Sequence, residues 1–147
     1  MRQIIPLLFL ERSLPEKSNP SKERLWTLLR QKTIGQDIGA DFEQLKLVKG
    51  YDHNYVVDGY DKSSRLIATA ECDGRKMEVF SDLPGVQFYA GNCIAPQGGK
   101  GDVTYNVREG FCLETQYFPN SANDPAFEQP IFDKGQKYKT TTVYKFS

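Results

Sequence analysis

A carboxylate interrupts an otherwise apolar stretch of this 147-residue chain, and it is the first candidate for chemistry. The segment GFCLETQYFP (110–119) is typical of a β-strand, with Glu114 in its middle. Because alternate side chains of a strand point to opposite faces, the segment divides into Cys112, Glu114, Gln116 and Phe118 on one face and Phe111, Leu113, Thr115 and Tyr117 on the other. A carboxylate is rarely buried without a partner. Glu114 therefore lines a polar cleft or lies on the exposed face of an edge strand.

Two further polar residues lie in or directly before other predicted strands. Asp52, in GYDHNYVVDG (50–59), directly precedes a predicted apolar strand, where it could cap a turn or contact a ligand. Gln87, in LPGVQFYAGN (83–92), lies among aromatic residues, and a buried amide needs partners that a backbone group or a ligand hydroxyl could supply. Aromatic residues beside carboxylates and amides suit a neutral polyol such as a sugar. Asp52 and Glu114 could also form a glycosidase pair.

The composition excludes several classes of partner and chemistry. With 19 basic and 19 acidic residues the formal net charge is zero, which predicts no nucleic-acid or anionic-membrane partner. No apolar run reaches the about 20 residues of a membrane span, and the N-terminal apolar run lacks a signal-peptide cleavage site. The three cysteines form no C-x-x-C pair and His53 is the only histidine, so we expect no metal site and free thiols in a reducing cytoplasm.

The hydrophobic pattern predicts a mainly antiparallel β fold of the sandwich type. The predicted strands, recognised by alternation and β-branched or aromatic residues, are 65–72, 76–81, 86–94, 110–118 and 137–146. Asp73 and Gly74 predict a tight turn between the first two. Helical spacing of apolar residues predicts one short helix over 22–32, and a helical turn is expected near 42–45.

Four motifs in this order closely resemble the C-terminal half of the aldose 1-epimerases, the galactose mutarotases. They are KGYDHNYVV (49–57), GRKMEVFSDLPGVQFYAGN (74–92), GFCLETQYFPNSAND (110–124) and YKTTTVYKF (138–146). The resemblance covers about residues 32–146. It divides the chain into an unmatched N-terminal segment, 1–31, and the C-terminal half of a mutarotase-like β-sandwich, 32–147.

The resemblance implies an all-β, antiparallel sandwich of galactose mutarotase type with an open sugar cleft. It implies interconversion of the α and β anomers of aldohexoses such as glucose and galactose, without cofactor or metal. Glu114 matches the family's general base, which removes the proton of the C1 hydroxyl. Asp52 and Gln87 match residues that hold sugar hydroxyls.

The chain departs from the family pattern at the residue that acts as the general acid. The H-x-Y-F-N motif that carries the family's acid histidine is absent, and His53 occupies a position that the family does not use for this role, so a structural histidine is expected there. We therefore expect a truncated chain whose partner is a missing N-terminal half or a second copy of itself. A non-catalytic sugar-binding module remains the alternative.

Overall fold

A computed structural model describes residues 6–9 and 31–147, and within them the fold is built from two main antiparallel sheets and a small two-stranded one. The strands are β1 (Pro6–Phe9), β2 (Lys32–Thr33), β3 (Asp52–Val56), β4 (Arg65–Cys72), β5 (Arg75–Ser81), β6 (Gly85–Tyr89), β7 (Gln97–Gly98), β8 (Thr104–Tyr105), β9 (Cys112–Gln116) and β10 (Thr142–Phe146). The helices are α1 (Ile34–Asp37) and α2 (Glu43–Leu47), with single 3₁₀ turns at Lys100–Asp102 and Ser121–Asn123.

The first sheet has the strand order β10-β5-β4-β1-β2, and every neighbouring pair is antiparallel. Its centre is the β4–β5 hairpin, which turns through Asp73 (φ 50°) and Gly74 (φ 73°). Positive φ at both central residues matches the right-handed twist of the flanking strands. The predicted tight turn at these two residues is therefore confirmed.

The second sheet has the order β3-β6-β9, with β6 in the middle and β9 at one edge. Its register places Asn54 opposite Gln87 and Gln87 opposite Glu114. Because directly opposed residues of an antiparallel pair share a face, these three side chains form one row across the sheet. The other face carries Tyr55, Val86, Phe88 and Leu113, all at most 5% exposed.

The core lies between this apolar face and the inner face of the first sheet. The first sheet contributes Ile67, Ala68, Ala70 and Val79, and α2 and the neighbouring segments add Leu45, Tyr51, Val57 and Ala90. Full burial of a Val- or Phe-sized side chain contributes about 1.5–3 kcal/mol, so this layer holds the sheets together.

Two side-chain hydrogen bonds connect the sheets where β9 meets β10. The hydroxyls of Thr115 and Thr142 lie 2.5 Å apart, and the Tyr144 hydroxyl donates to the Leu113 carbonyl at 2.6 Å. The strand carrying Glu114 is thereby anchored to the first sheet as well as to β6.

The predicted antiparallel β class is confirmed, and so are the strands over 65–72 and 76–81. Four predictions had wrong boundaries, and one of them is the strand predicted over 110–118, which is limited to Cys112–Gln116. Asp52 belongs to a strand and does not precede it, 90–94 is not strand, and β10 begins at Thr142 and not at 137. The last difference follows from pairing, because β5 ends at Ser81, and beyond it the Asp82 carboxylate accepts the Thr141 amide at 2.9 and 3.0 Å. The helix predicted over 22–32 lies almost entirely outside the described residues.

Candidate functional site

The outer face of the second sheet brings together Asp52, Gln87 and Glu114, which the sequence singled out separately. Gln87 lies opposite Glu114 on one side, and its Nε2 donates to Asp52 Oδ1 at 2.7 Å on the other. This contact joins β3 to β6 through a charge-assisted hydrogen bond, the stronger kind. The face thus carries two carboxylates and an amide within three adjacent strands.

Gln87 has a buried acceptor that the described residues leave unpaired. A carboxylate accepts hydrogen bonds and donates none, so the contact with Asp52 fixes the amide with Nε2 towards Asp52. Oε1 then has no hydrogen-bond partner among the described residues, although it is inaccessible to solvent. An unpaired buried oxygen costs free energy, and a ligand hydroxyl is a donor that would satisfy it.

Glu114 is exposed, and the described residues give its carboxylate no hydrogen bond or ion pair. It borders an open pocket of about 570 Å³, whose lining includes Cys112, Phe111, Tyr144 and Met77. Burial and then the charge of Glu114 raise the pKa of the Cys112 thiol. Asp52 and Gln87 do not line this pocket, so the pocket and the polar face meet at Glu114.

His53 lies on the opposite face of the sheet from these residues. It is paired with the fully buried Phe88 and alternates with Asp52 and Asn54 along β3. Its Nδ1 accepts the Asp52 amide at 3.1 Å, and the Gln44 backbone hydrogen-bonds to the ring. Burial lowers the pKa of His53, against the smaller opposing effect of the Asp52 charge. His53 is therefore a neutral side chain on the core side and does not face a ligand on the polar face.

Among residues 6–9 and 31–147, no three His, Cys, Asp or Glu side chains lie close enough together to hold a metal ion. No helix in the described part of the chain is both long and apolar enough to span a bilayer.

The family model of the aldose 1-epimerases matches residues 8–145, nearly the whole chain. The chain belongs to the aldose 1-epimerase family. The match includes the end of β1 and the segment from there to residue 31, which the motifs alone did not cover.

Individual family members show the same relationship. The chain is 41% identical to bovine galactose mutarotase over 103 residues, which are 68% of this chain and 30% of the relative. It is 37% identical to the human galactose mutarotase over 114 residues, 76% and 33% of the two chains. It is 31% identical to the Escherichia coli aldose 1-epimerase over 119 residues, 78% and 34%. The chain thus spans about a third of the length of these relatives.

Two solved structures share the fold. An aldose epimerase homologue from C. elegans superimposes with a TM-score of 0.79 at 16% identity, covering 100% of this chain and 46% of the other. The galactose 1-epimerase of Lactobacillus acidophilus gives a TM-score of 0.69 at 20% identity, covering 98% and 44%. The expected fold, a β-sandwich of galactose mutarotase type, is thereby confirmed.

The sequence interpretation did not assign a role to Asn54, Gly85 or Gln116, which also belong to the polar face. Gln116 Nε2 donates to Asn54 Oδ1 at 3.1 Å across the middle strand. Gln116 carried a usable signal, because it follows Glu114 by two positions on the same face. Asn54 carried none until the strand was known to begin at Asp52.

Proposed function

We propose that the outer face of the second sheet binds an aldohexose such as glucose or galactose, and that Glu114 acts there as the general base of an aldose 1-epimerase. The observation that supports this proposal is the cluster of Asp52, Gln87 and Glu114 on one face, with an unpartnered carboxylate beside an unpartnered amide oxygen. The family membership of the chain supports the reaction class. The activity of the relatives is named for longer chains, of which the aligned segment covers 30% and 33%.

In this mechanism Glu114 removes the proton of the C1 hydroxyl while the ring oxygen receives a proton. The bond between C1 and the ring oxygen breaks and C1 becomes a carbonyl carbon, so the product is the open-chain aldehyde. Rotation about the C1–C2 bond followed by reclosure gives either anomer. A positioned base or acid contributes typically about 10²–10⁴-fold to such a proton transfer, and no cofactor is required.

Asp52 and Gln87 hold the sugar in the proposal. Gln87 Oε1 accepts a sugar hydroxyl, and Asp52 accepts another through Oδ2, because its Oδ1 is already bound to Gln87. All three groups accept hydrogen bonds, so a polyol, which offers many O–H donors, matches the face. The mutual contact between Asp52 and Gln87 orients both side chains before the sugar arrives.

We infer that the proton for the ring oxygen comes from a group other than His53, the one histidine in the sequence. It lies on the core face, where its pKa is lowered.

The inner face of β10 supports the further proposal that another polypeptide, with the remainder of a family-type sandwich, packs against this chain. Tyr144 and Phe146 lie on that face and remain 45% and 72% exposed. Such a partner could supply the acid.

Polarimetry of α-D-glucose tests the catalytic proposal. The chain should accelerate mutarotation above the buffer rate, and Glu114→Gln should remove the acceleration. Glu71→Gln, an exposed carboxylate on the first sheet, is the matched control and should retain it. Added imidazole should raise the rate of the unmodified chain more than that of Glu114→Gln, because its imidazolium form supplies an acid, whereas the positioned base Glu114 is present only in the unmodified chain. A buffer rate both with and without imidazole would exclude catalysis by this chain.

A non-catalytic sugar-binding module is the second candidate, favoured by the orientation of His53 away from the polar face. It predicts saturable binding of galactose or glucose, lost in Asp52→Ala, without any effect on the rate of mutarotation. Titration calorimetry at millimolar sugar measures this directly. Light scattering tests the partner: a monomer supports a different polypeptide, and a dimer would assign the exposed face of β10 to a second copy.

The three free thiols in the described chain suit a reducing cytoplasm, where we place the protein.

A further inference from the structure

A side-chain hydrogen bond crosses the middle strand of the second sheet and joins the two strands that flank it. Gln116 Nε2 on β9 donates to Asn54 Oδ1 on β3 at 3.1 Å. These two strands are not neighbours, because β6 lies between them. We call this contact the amide bridge. Among the described residues it is the hydrogen bond that joins the outermost strands of the sheet directly.

Gly85 makes the amide bridge possible. It is the residue of β6 that lies opposite Gln116, on the polar face. A Cβ added to it would lie 2.8 and 2.9 Å from the two amide atoms of Asn54, and 3.1 Å from the Phe118 ring. Real Cβ atoms do not approach polar atoms so closely, so a side chain at this position would displace the Asn54 amide. Glycine within a strand often marks such a close approach.

The amide bridge joins the strand that carries the base to the strand that carries Asp52. Gln116 follows Glu114 by two residues on β9, and Asn54 follows Asp52 by two residues on β3. Each end of the amide bridge therefore lies two residues beyond a candidate site residue, on the same face of the sheet. β9 is an edge strand, with neighbouring backbone on the β6 side. A link to β3 therefore restricts the distance between the base and the residue that holds the sugar.

We propose that Asn54 and Gln116, with the space provided by Gly85, are positioning residues that fix Glu114 relative to Asp52. The inference rests on the proposed function of Glu114. Neither amide touches the sugar in this scheme, and neither exchanges a proton. Their effect is on the geometry of the proton transfer, which small displacements change strongly, whereas the contacts of Asp52 and Gln87 with the sugar are retained.

The test compares Asn54→Leu and Gly85→Ala with Asn54→Asp, which keeps an acceptor for Gln116. In mutarotation, kcat should fall about tenfold in the first two variants, with KM unchanged, because a misplacement of about 1 Å can cost up to about 10²-fold. Asn54→Asp should restore most of kcat. If the first two variants retain the wild-type kcat, or if KM rises in place of a fall in kcat, the positioning role is wrong.

A second measurement does not depend on turnover. Amide hydrogen exchange of Glu114 and Thr115 should accelerate about tenfold in Asn54→Leu, and not in Asn54→Asp, because β9 loses its link to β3. Unchanged exchange in Asn54→Leu would overturn the inference even in an inactive chain. Conversely, an inactive wild-type chain in which only Asn54→Leu exchanges faster would reject the proposed catalysis and support the positioning of Glu114 by the bridge.

Discussion

Replacing Gln87 by Met should have little effect on stability and a clear effect on sugar binding. The two side chains have similar length, and the change removes both polar atoms of the amide. One of them, Nε2, donates to Asp52 at 2.7 Å, and the other, Oε1, is buried without a partner. The two losses act on the free energy of unfolding in opposite directions.

The magnitudes follow from these two atoms. Losing a hydrogen bond to a charged group costs about 1.5–3 kcal/mol, although Asp52 is partly exposed and water can replace part of it. Removing an unpaired buried oxygen recovers about 1–3 kcal/mol. We therefore expect the free energy of unfolding of Gln87→Met to stay within about 1 kcal/mol of the wild-type value. Galactose affinity should fall about 2- to 10-fold through the lost acceptor.

Gln129→Met provides a matched control with the same chemical change. Gln129 is half-buried like Gln87, but its Nε2 donates to the backbone carbonyls of Ser121, Asp124 and Phe127 at 2.6, 2.7 and 3.0 Å. Its replacement leaves these carbonyls without that donor, at a cost of about 1–3 kcal/mol. Urea denaturation followed by circular dichroism measures both variants. An equal loss of stability in both would show that Gln87 Oε1 has a partner, and the acceptor proposed for the sugar would not exist.

Three further predictions concern the core side and the connection between the sheets. Burial lowers the pKa of His53, so the unfolded chain binds a proton more readily than the folded chain. The free energy of unfolding should therefore fall as the pH drops through about 6.5. Urea denaturation at several pH values measures this dependence, and His53→Gln should flatten it. Gly50 has φ 139°, and a Cβ added there would overlap Asn92 Oδ1. Gly50→Ala should therefore destabilise the folded chain by about 1–3 kcal/mol. Thermal denaturation measures this, and an unchanged melting temperature would contradict the packing of Gly50 against Asn92. Tyr144→Phe removes the donor to the Leu113 carbonyl and should cost about 1 kcal/mol, with faster amide exchange in β9; unchanged exchange would show that this contact does not anchor the strand.

The hairpin of β4 and β5 was predictable because local chemistry determines it. Alternating side chains give each strand, and Asp73 and Gly74 give the positive φ values that the turn requires. β1 shows the opposite case. Pro6–Phe9 belongs to an apolar run without a period of two, and its strand is defined by pairing with β2 and β4, which lie 23 or more residues away in sequence. Propensity within a short segment does not contain that information.

The face of Glu114 was predictable for the same reason as the hairpin, since period two separates Glu114 from the buried Leu113. The combination of Glu114 with Asp52 was not. It depends on the registers of two strand pairs, Asp52 opposite Tyr89 and Tyr89 opposite Cys112. A slip of one residue in either pair would reverse the faces. The resemblance to a family suggested both residues, but pairing alone places them on one surface.

His53 shows how one boundary decides a role. When Asp52, His53 and Asn54 are placed in a turn before the strand, all three side chains can approach the same ligand. When the strand begins at Asp52, alternation alone sends His53 to the face that carries Phe88. The polar residues are tolerated in this strand because its outer face is not covered by the core. The alternation that makes Asp52 available to a ligand therefore places His53 on the opposite face, and the acid that the proposed reaction requires must come from another residue or another chain.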